Sequence, residues 1–310
     1  MSRGDARTAI GQPARMAVVL MAVAMFVAAC GGSTASVSPS ASASADTSCA
    51  PESLALKTPG VLTLSTDNPA YSPWFQGGNE GAEVWVGDYN NDPVNGEGYE
   101  GAVAYAIAEK LGFAADKVTW IVTAFDQSFA PGDKAFDLFM NQVSIKADRA
   151  EAVDFSSGYY DVAQGVVTVE GSKIAGATSI ADLKGAKLGT QIGTTSYDAI
   201  LNVIAPDQEP AVFNTMDEAV AALQAGQIDG VVADVPTTFY MRDAQLDGGV
   251  IIGQLKGTGD GAEQFGVVLQ KGSPLTACVN IAIDALKADG TLDALLLQWI
   301  GGSGSAPEIQ

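Results

Sequence analysis

Arg149, Asp234 and the run Gly193-Thr194-Thr195 are the parts of this 310-residue chain with the clearest capacity for chemistry. A guanidinium presents a planar fork of N–H donors that matches a carboxylate two bonds at a time. The sequence neighbours Asp148 and Glu151 could equally make Arg149 an ordinary surface ion pair, and spacing alone favours that reading. Asp234 closes the strand-like run Ile228-Asp229-Gly230-Val231-Val232-Ala233. A carboxylate at the C-terminal end of a strand in an open α/β sheet faces the ligand crevice; ahead of Pro236 it also reads as a turn or capping residue. The Gly-Thr-Thr run opens a predicted helix whose first N–H groups and dipole favour an anion, although a threonine N-cap needs no ligand.

Other chemistries are excluded by composition. The chain has no histidine, so it has no Ser-His-Asp triad, Cys-His pair or HExxH zinc site. GxxxxGK[ST] does not occur, the GxGxxG spacing from Gly96 to Gly101 follows a predicted loop rather than a strand, and no cofactor or metal is expected. Asp88-x-Asn90-x-Asp92 starts like a calcium loop, but Pro93 replaces the required glycine and Tyr99 stands at position twelve. The segment reads as a solvated loop. A formal charge of −20 opposes nucleic-acid binding. With 47% hydrophobic and 17% charged residues, the body is globular.

The elements that must position these groups alternate between strand and helix patterns, an α/β arrangement. Val61–Ser65, Val118–Thr123, Lys187–Gln191 and Ile228–Ala233 read as strands. Val103, Ile107 and Leu111, four apart, read as a helix stopped by Gly112. Ser179-x-x-Asp182 and Thr215-x-x-Glu218 read as helix starts, and helices are expected at about 275–288 and 291–299. Residues 76–97 read as a long loop.

Arg3, Arg7 and Arg15 precede an unbroken apolar stretch from Met16 to Ala29. The stretch is too short to span a bilayer and has the form of a signal-peptide core. Val27-Ala28-Ala29-Cys30 resembles a bacterial lipobox, in which Cys30 would be lipidated. The expected organisation is a signal peptide over 1–29 and a Ser/Ala-rich tether over 30–57. That predicts an exported chain, lipid-anchored at the outer face of the cell membrane. Cys49 and Cys278 remain, an even number suited to a disulfide in that compartment or to two free buried thiols.

Several segments carry a family resemblance. They are Gly60-Val61-Leu62-Thr63-Leu64-Ser65-Thr66-Asp67 with Tyr71-Ser72-Pro73-Trp74, Gly98-Tyr99-Glu100 leading to Leu111-Gly112, and Val143-Ser144-Ile145-Lys146-Ala147-Asp148-Arg149. Val153 to Tyr160, Leu183-Lys184-Gly185 before Gly193-Thr194-Thr195, and Ala225-Gly226-Gln227-Ile228-Asp229-Gly230 before Asp234 follow. In this order they resemble the polar amino-acid family of extracellular solute-binding proteins, the capture subunits of ABC importers. The resemblance covers about residues 58–301.

It implies the type II periplasmic-binding-protein fold, two α/β lobes joined by two crossover strands. Lobe one would comprise 58–162 and 265–301, lobe two 163–264, and 302–310 would be a C-terminal tail. It implies a non-enzymatic protein whose ligand is a free amino acid and whose partner is an ABC permease. Arg149 would hold the ligand carboxylate together with Thr194 and Thr195, and Asp234 the ammonium. Ser144 and Gln142 match the hydrogen-bonding segment beside the arginine, although Gln142 replaces a usually small residue and Lys146 a common threonine. Tyr71, Trp74 and Phe125 would form aromatic walls. Asp67 would meet the ligand side chain, favouring a cationic or amide group. Cyclohexadienyl dehydratases resemble the same fold, which makes an enzyme one alternative, and a ligand-sensing partner of a receptor kinase is another.

Overall fold

The computed structural model describes residues 49–78, 85, 91–257 and 263–310. The signal-peptide, Cys30 and most of the tether expectations lie outside the described residues, as do Asp88 and Asn90. Within the unit Ala45–Gln310 the strands are β1 (Leu62–Thr66), β2 (Val118–Val122), β3 (Leu138–Phe139), β4 (Val153–Phe155), β5 (Tyr160–Val162) and β6 (Gln164–Val169). They continue with β7 (Leu188–Gln191), β8 (Ala211–Phe213), β9 (Gly230–Asp234), β10 (Gly249–Gln254), β11 (Glu263–Phe265) and β12 (Val268–Gln270).

One five-stranded sheet runs β2-β1-β3-β12-β4 and a second runs β10-β6-β9-β7-β8. β1 pairs in parallel with β2 and β3, and β7 with β8 and β9. Parallel neighbours need a crossover between them, which is why helices intervene. The helix Tyr99–Lys110 joins β1 to β2 and buries Tyr99, Val103 and Ile107 on one stripe against the sheet. All five residues of β1 are buried, as expected of a central parallel strand. Ser179 and Asp182 form a reciprocal capping box ahead of Ile180–Leu183. Thr215 caps Met216–Gln224 by accepting from the Glu218 N–H, while the Glu218 carboxylate turns to the N–H of Asn214.

β5 and β11 pair antiparallel as a two-stranded ribbon. β5 runs straight on to β6, and β11 lies between β10 and β12, so the chain passes between the sheets along this ribbon in both directions. This is the two-lobed type II architecture with two crossover strands. A disulfide joins Cys49 to Cys278 across 229 residues of chain and fastens the start of the body to the helix Thr276–Ala288.

Two segments differ from the sequence expectations. Residues 302–310, read as a tail, return to the second sheet. The Ile309 N–H donates to the Gln254 carbonyl at 2.9 Å and the Gln254 N–H to the Pro307 carbonyl at 2.9 Å. Ile309 is 5% exposed among Val166, Leu183, Ile200 and Leu255. A single isoleucine within a polar, Gly-rich stretch carries too little periodicity to reveal that contact. Asp92, read as part of a solvated loop, is fully buried, and its carboxylate accepts from the Val94 N–H at 3.0 Å.

Candidate functional site

Arg149 lies in the short helix Ala147–Ala152 and is 7% exposed. A buried guanidinium must satisfy its donors or pay for lost hydration. Nη1 donates to the Ser144 carbonyl at 2.8 Å and Nη2 to the Gly193 carbonyl at 2.7 Å. The cation rests on the Phe129 ring at 4.4 Å from its centroid and lies 5.8 Å from that of Phe125. Burial pulls its pKa down, while the charges of Asp148, Glu263, Asp198 and Asp234 oppose that. Among the described residues no carboxylate oxygen lies within 4.0 Å of the guanidinium nitrogens, so the surface pair with Asp148 or Glu151 is not made; Asp148 accepts from the Arg149 backbone N–H instead. Arg242, by contrast, pairs through Nε and Nη2 with Asp243 at 2.6 and 2.7 Å.

Asp234 ends β9 beside the first residue of β6. Gln164 Nε2 donates to its carboxylate at 2.8 Å. The carboxyl is held well above the ordinary carboxylate range, first by burial and then by the charge of Glu263. Gln164 also accepts from Ser196 Oγ at 2.6 Å, so one side chain just past the crossover orients the aspartate and the Gly-Thr-Thr turn together. Thr194 Oγ1 donates to the Gln191 carbonyl at 2.8 Å. Thr195 Oγ1 is 3.2 Å from Ser144 Oγ, and Ser144 donates to the Glu263 carboxylate.

Gln142 has a left-handed backbone, φ 51°, which a side chain adopts at a cost unless it is held there. The holder is Glu100. Its carboxylate accepts from the Gln142 N–H at 2.7 Å, from Gln142 Nε2 and from the Tyr159 hydroxyl. Glu100 is fully buried, and burial pushes it up to about 7 against those three donors. Tyr71 is buried in the core of the second sheet with Met216, and its oxygen accepts from the Asp217 N–H at 3.3 Å.

Arg149, Asp234, Thr194, Thr195, Ser144, Gln142, Tyr71 and Phe125 line one cavity together. Two expected residues are placed elsewhere. Trp74 does not line the cavity; it is a core residue, edge-on to Tyr99, Tyr160 and Phe265, with Nε1 donating to Thr237 Oγ1 at 2.8 Å. Spacing three residues from Tyr71 could not separate the two, because the loop between them turns. Asp67 does not line it either. Its carboxylate accepts from the Asn68 N–H at 2.7 Å and the Phe125 N–H at 3.2 Å, which anchors Phe125. The lining residues missed from sequence are Asn141, Gln191, Ser196, Met216, Ala233 and Thr237. Asn141 adjoins Gln142 and Gln191 ends the predicted strand before Gly193, and those positions were the available signal.

The model of bacterial extracellular solute-binding proteins, family 3, matches residues 87–302. The chain belongs to that family. This solute-binding protein is 28% identical to the L-arginine-binding protein of Pseudomonas aeruginosa over 76% of this chain and 90% of the relative. It is 30% identical to the ABC transporter glutamine-binding protein GlnH of Bacillus subtilis over 53% of this chain, and spans 58% of that relative's length. A solved structure, an ancestral arginine-binding protein bound to glutamine, superposes with a TM-score of 0.62 at 28% identity, covering 79% of this chain and 99% of that one.

Proposed function

We propose that this solute-binding protein captures a free amino acid with a polar side chain, cationic or amide, between its lobes and delivers it to an ABC permease. The observation that carries the reading is Arg149, a buried guanidinium without a carboxylate partner among the described residues, lining the same cavity as Asp234. An α-amino acid brings an anion for the first and a cation for the second. The ammonium would also relieve the desolvation that raises Asp234. The backbone N–H groups of Thr194 and Thr195 and the Thr195 hydroxyl would add hydrogen bonds to the carboxylate, the hydroxyl protons of Thr194 and Ser144 being already donated to the Gln191 carbonyl and the Glu263 carboxylate. Micromolar binding, about −8 kcal/mol, is a large energy for a ligand of so few atoms. It requires both charges paired away from water, which a closing two-lobed cleft supplies.

The relatives are named as binding proteins, and that supports a non-enzymatic role. A thermal-shift screen of all free amino acids should find marked stabilisation by a small subset, with no turnover of arogenate or prephenate. Turnover of either, or stabilisation by no amino acid, would overturn the reading.

The sequence Val27-Ala28-Ala29-Cys30 supports export and lipid attachment at Cys30, with the tether holding the body off the membrane. Two or more acyl chains at about 0.8 kcal/mol per buried CH₂ give stable anchoring. Cys30→Ser should lose incorporated fatty acid and leave the membrane fraction; retention of label in that variant would refute the anchor.

A further inference from the structure

Among the described residues that line the cavity, formal charge is confined to Arg149 and Asp234. If these hold the carboxylate and ammonium of an amino acid, its side chain meets neutral groups only. Two of those groups are buried amides with one hydrogen-bonding atom each left over. Asn141, 7% exposed, accepts through Oδ1 from Thr66 Oγ1 at 3.3 Å and from Gln142 Nε2 at 3.3 Å. These donors fix the amide orientation, and Nδ2 donates to none of the described residues. Gln191, 9% exposed, donates through Nε2 to the Asn214 carbonyl at 3.2 Å. Its Oε1 accepts from none of the described residues.

The two amides come from different sheets. Asn141 follows β3 and bonds to the last residue of β1, while Gln191 ends β7. The Gln191 amide also donates to the carboxylate of Asp67, the residue after β1. The cavity therefore offers an amide donor from one lobe and an amide acceptor from the other near the end of β1. We infer that the ligand side chain is a neutral carboxamide, its carbonyl accepting from Asn141 and its NH₂ donating to Gln191; this rests on the amino-acid reading above.

The same geometry disfavours charged side chains. A cation finds no second carboxylate in the described lining, because Asp67 lies outside it, held by the Asn68 and Phe125 N–H groups and by the Gln191 amide. An acidic side chain meets the Gln191 oxygen rather than a second cation. Buried hydrogen-bonding groups left without partners are costly, so such a site discriminates sharply against ligands that cannot complete it.

Calorimetric titration of the full chain with L-glutamine, L-asparagine, L-arginine, L-lysine and L-glutamate tests this. One of the two amides should bind about tenfold or more tighter than arginine, lysine or glutamate. Asn141→Ala should weaken amide binding about tenfold. Gln191→Glu should shift preference toward lysine or arginine, a gain that misfolding cannot produce. Tighter binding of arginine, lysine or glutamate by the unaltered chain would overturn the carboxamide inference and leave the amino-acid reading intact. Binding of none of the five with stabilisation by another amino acid would do the same; stabilisation by no amino acid at all would remove both.

Discussion

Arg149→Ala should abolish stabilisation by any amino acid that stabilises the unaltered chain. The guanidinium is the one buried cation aimed into the cavity from the described lining, and removing it leaves a ligand carboxylate unpaired away from water. Loss of one partner of a buried charge pair costs about 2–5 kcal/mol, and the middle of that range is about 300-fold in Kd. At a ligand concentration of about 100 Kd the unaltered protein gains about 2.7 kcal/mol, so the variant's gain at that concentration should vanish. The Ser144 and Gly193 carbonyls also lose their donors. The melting temperature of the unliganded variant separates that structural cost from the binding loss. Arg149→Lys should retain charge but lose the fork, and fall between the two. Undiminished thermal stabilisation of Arg149→Ala would remove Arg149 from the site.

Glu100→Ala should be among the most destabilising single changes in the cleft. It leaves the Gln142 N–H, Gln142 Nε2 and the Tyr159 hydroxyl without their acceptor. Orphaned buried donors cost about 1–3 kcal/mol each, so a loss of about 4 kcal/mol is expected, together with weaker ligand binding as Gln142 leaves its left-handed conformation. The pH dependence has a definite sign. The folded-state value of Glu100 is about 7 against an ordinary 4.5, so the folded state holds the proton more tightly than the unfolded state. Its contribution to stability is therefore fully present below 4.5, declines as the pH rises, and is lost above about 7. Asp234 and Asp67 are raised as well and act in the same direction. The difference in urea stability between the unaltered chain and Glu100→Gln isolates Glu100. That difference should fall between pH 4.5 and 7; a difference that rises with pH across this window would contradict the assignment.

Glu100 also shows where sequence reading stops. It stood in the quoted Gly98-Tyr99-Glu100 segment, yet its role depends on Gln142 and Tyr159, which lie 42 and 59 residues away. No periodicity links them. Trp74 and Tyr71 make the same point from the other side. Three residues apart on one loop, they are equivalent as sequence, but one enters the core of the first sheet and the other packs into the second. Arg149 was ambiguous by spacing because Asp148 and Glu151 stood ready as partners. Only the turn of the chain at Gly193 supplied the carbonyl that draws its fork inward.

By itself the sequence determined the α/β alternation, the helix starts at Ser179 and Thr215, the absence of imidazole chemistry and an ordered set of segments with a family likeness. These follow from local rules: which faces are apolar, which side chains can cap, which residue types exist. Tertiary structure decided which groups share the cavity, that Asp67 lies outside its lining on the Asn68 and Phe125 N–H groups and the Gln191 amide, and that Asn141 and Gln191 each keep one amide atom unpartnered among the described residues. It also decided that Ile309 closes the core of the second sheet. The physical reason is common to all of these. A side chain's chemistry depends on which of its hydrogen-bonding atoms are already used, and the partners that use them come from distant parts of the chain.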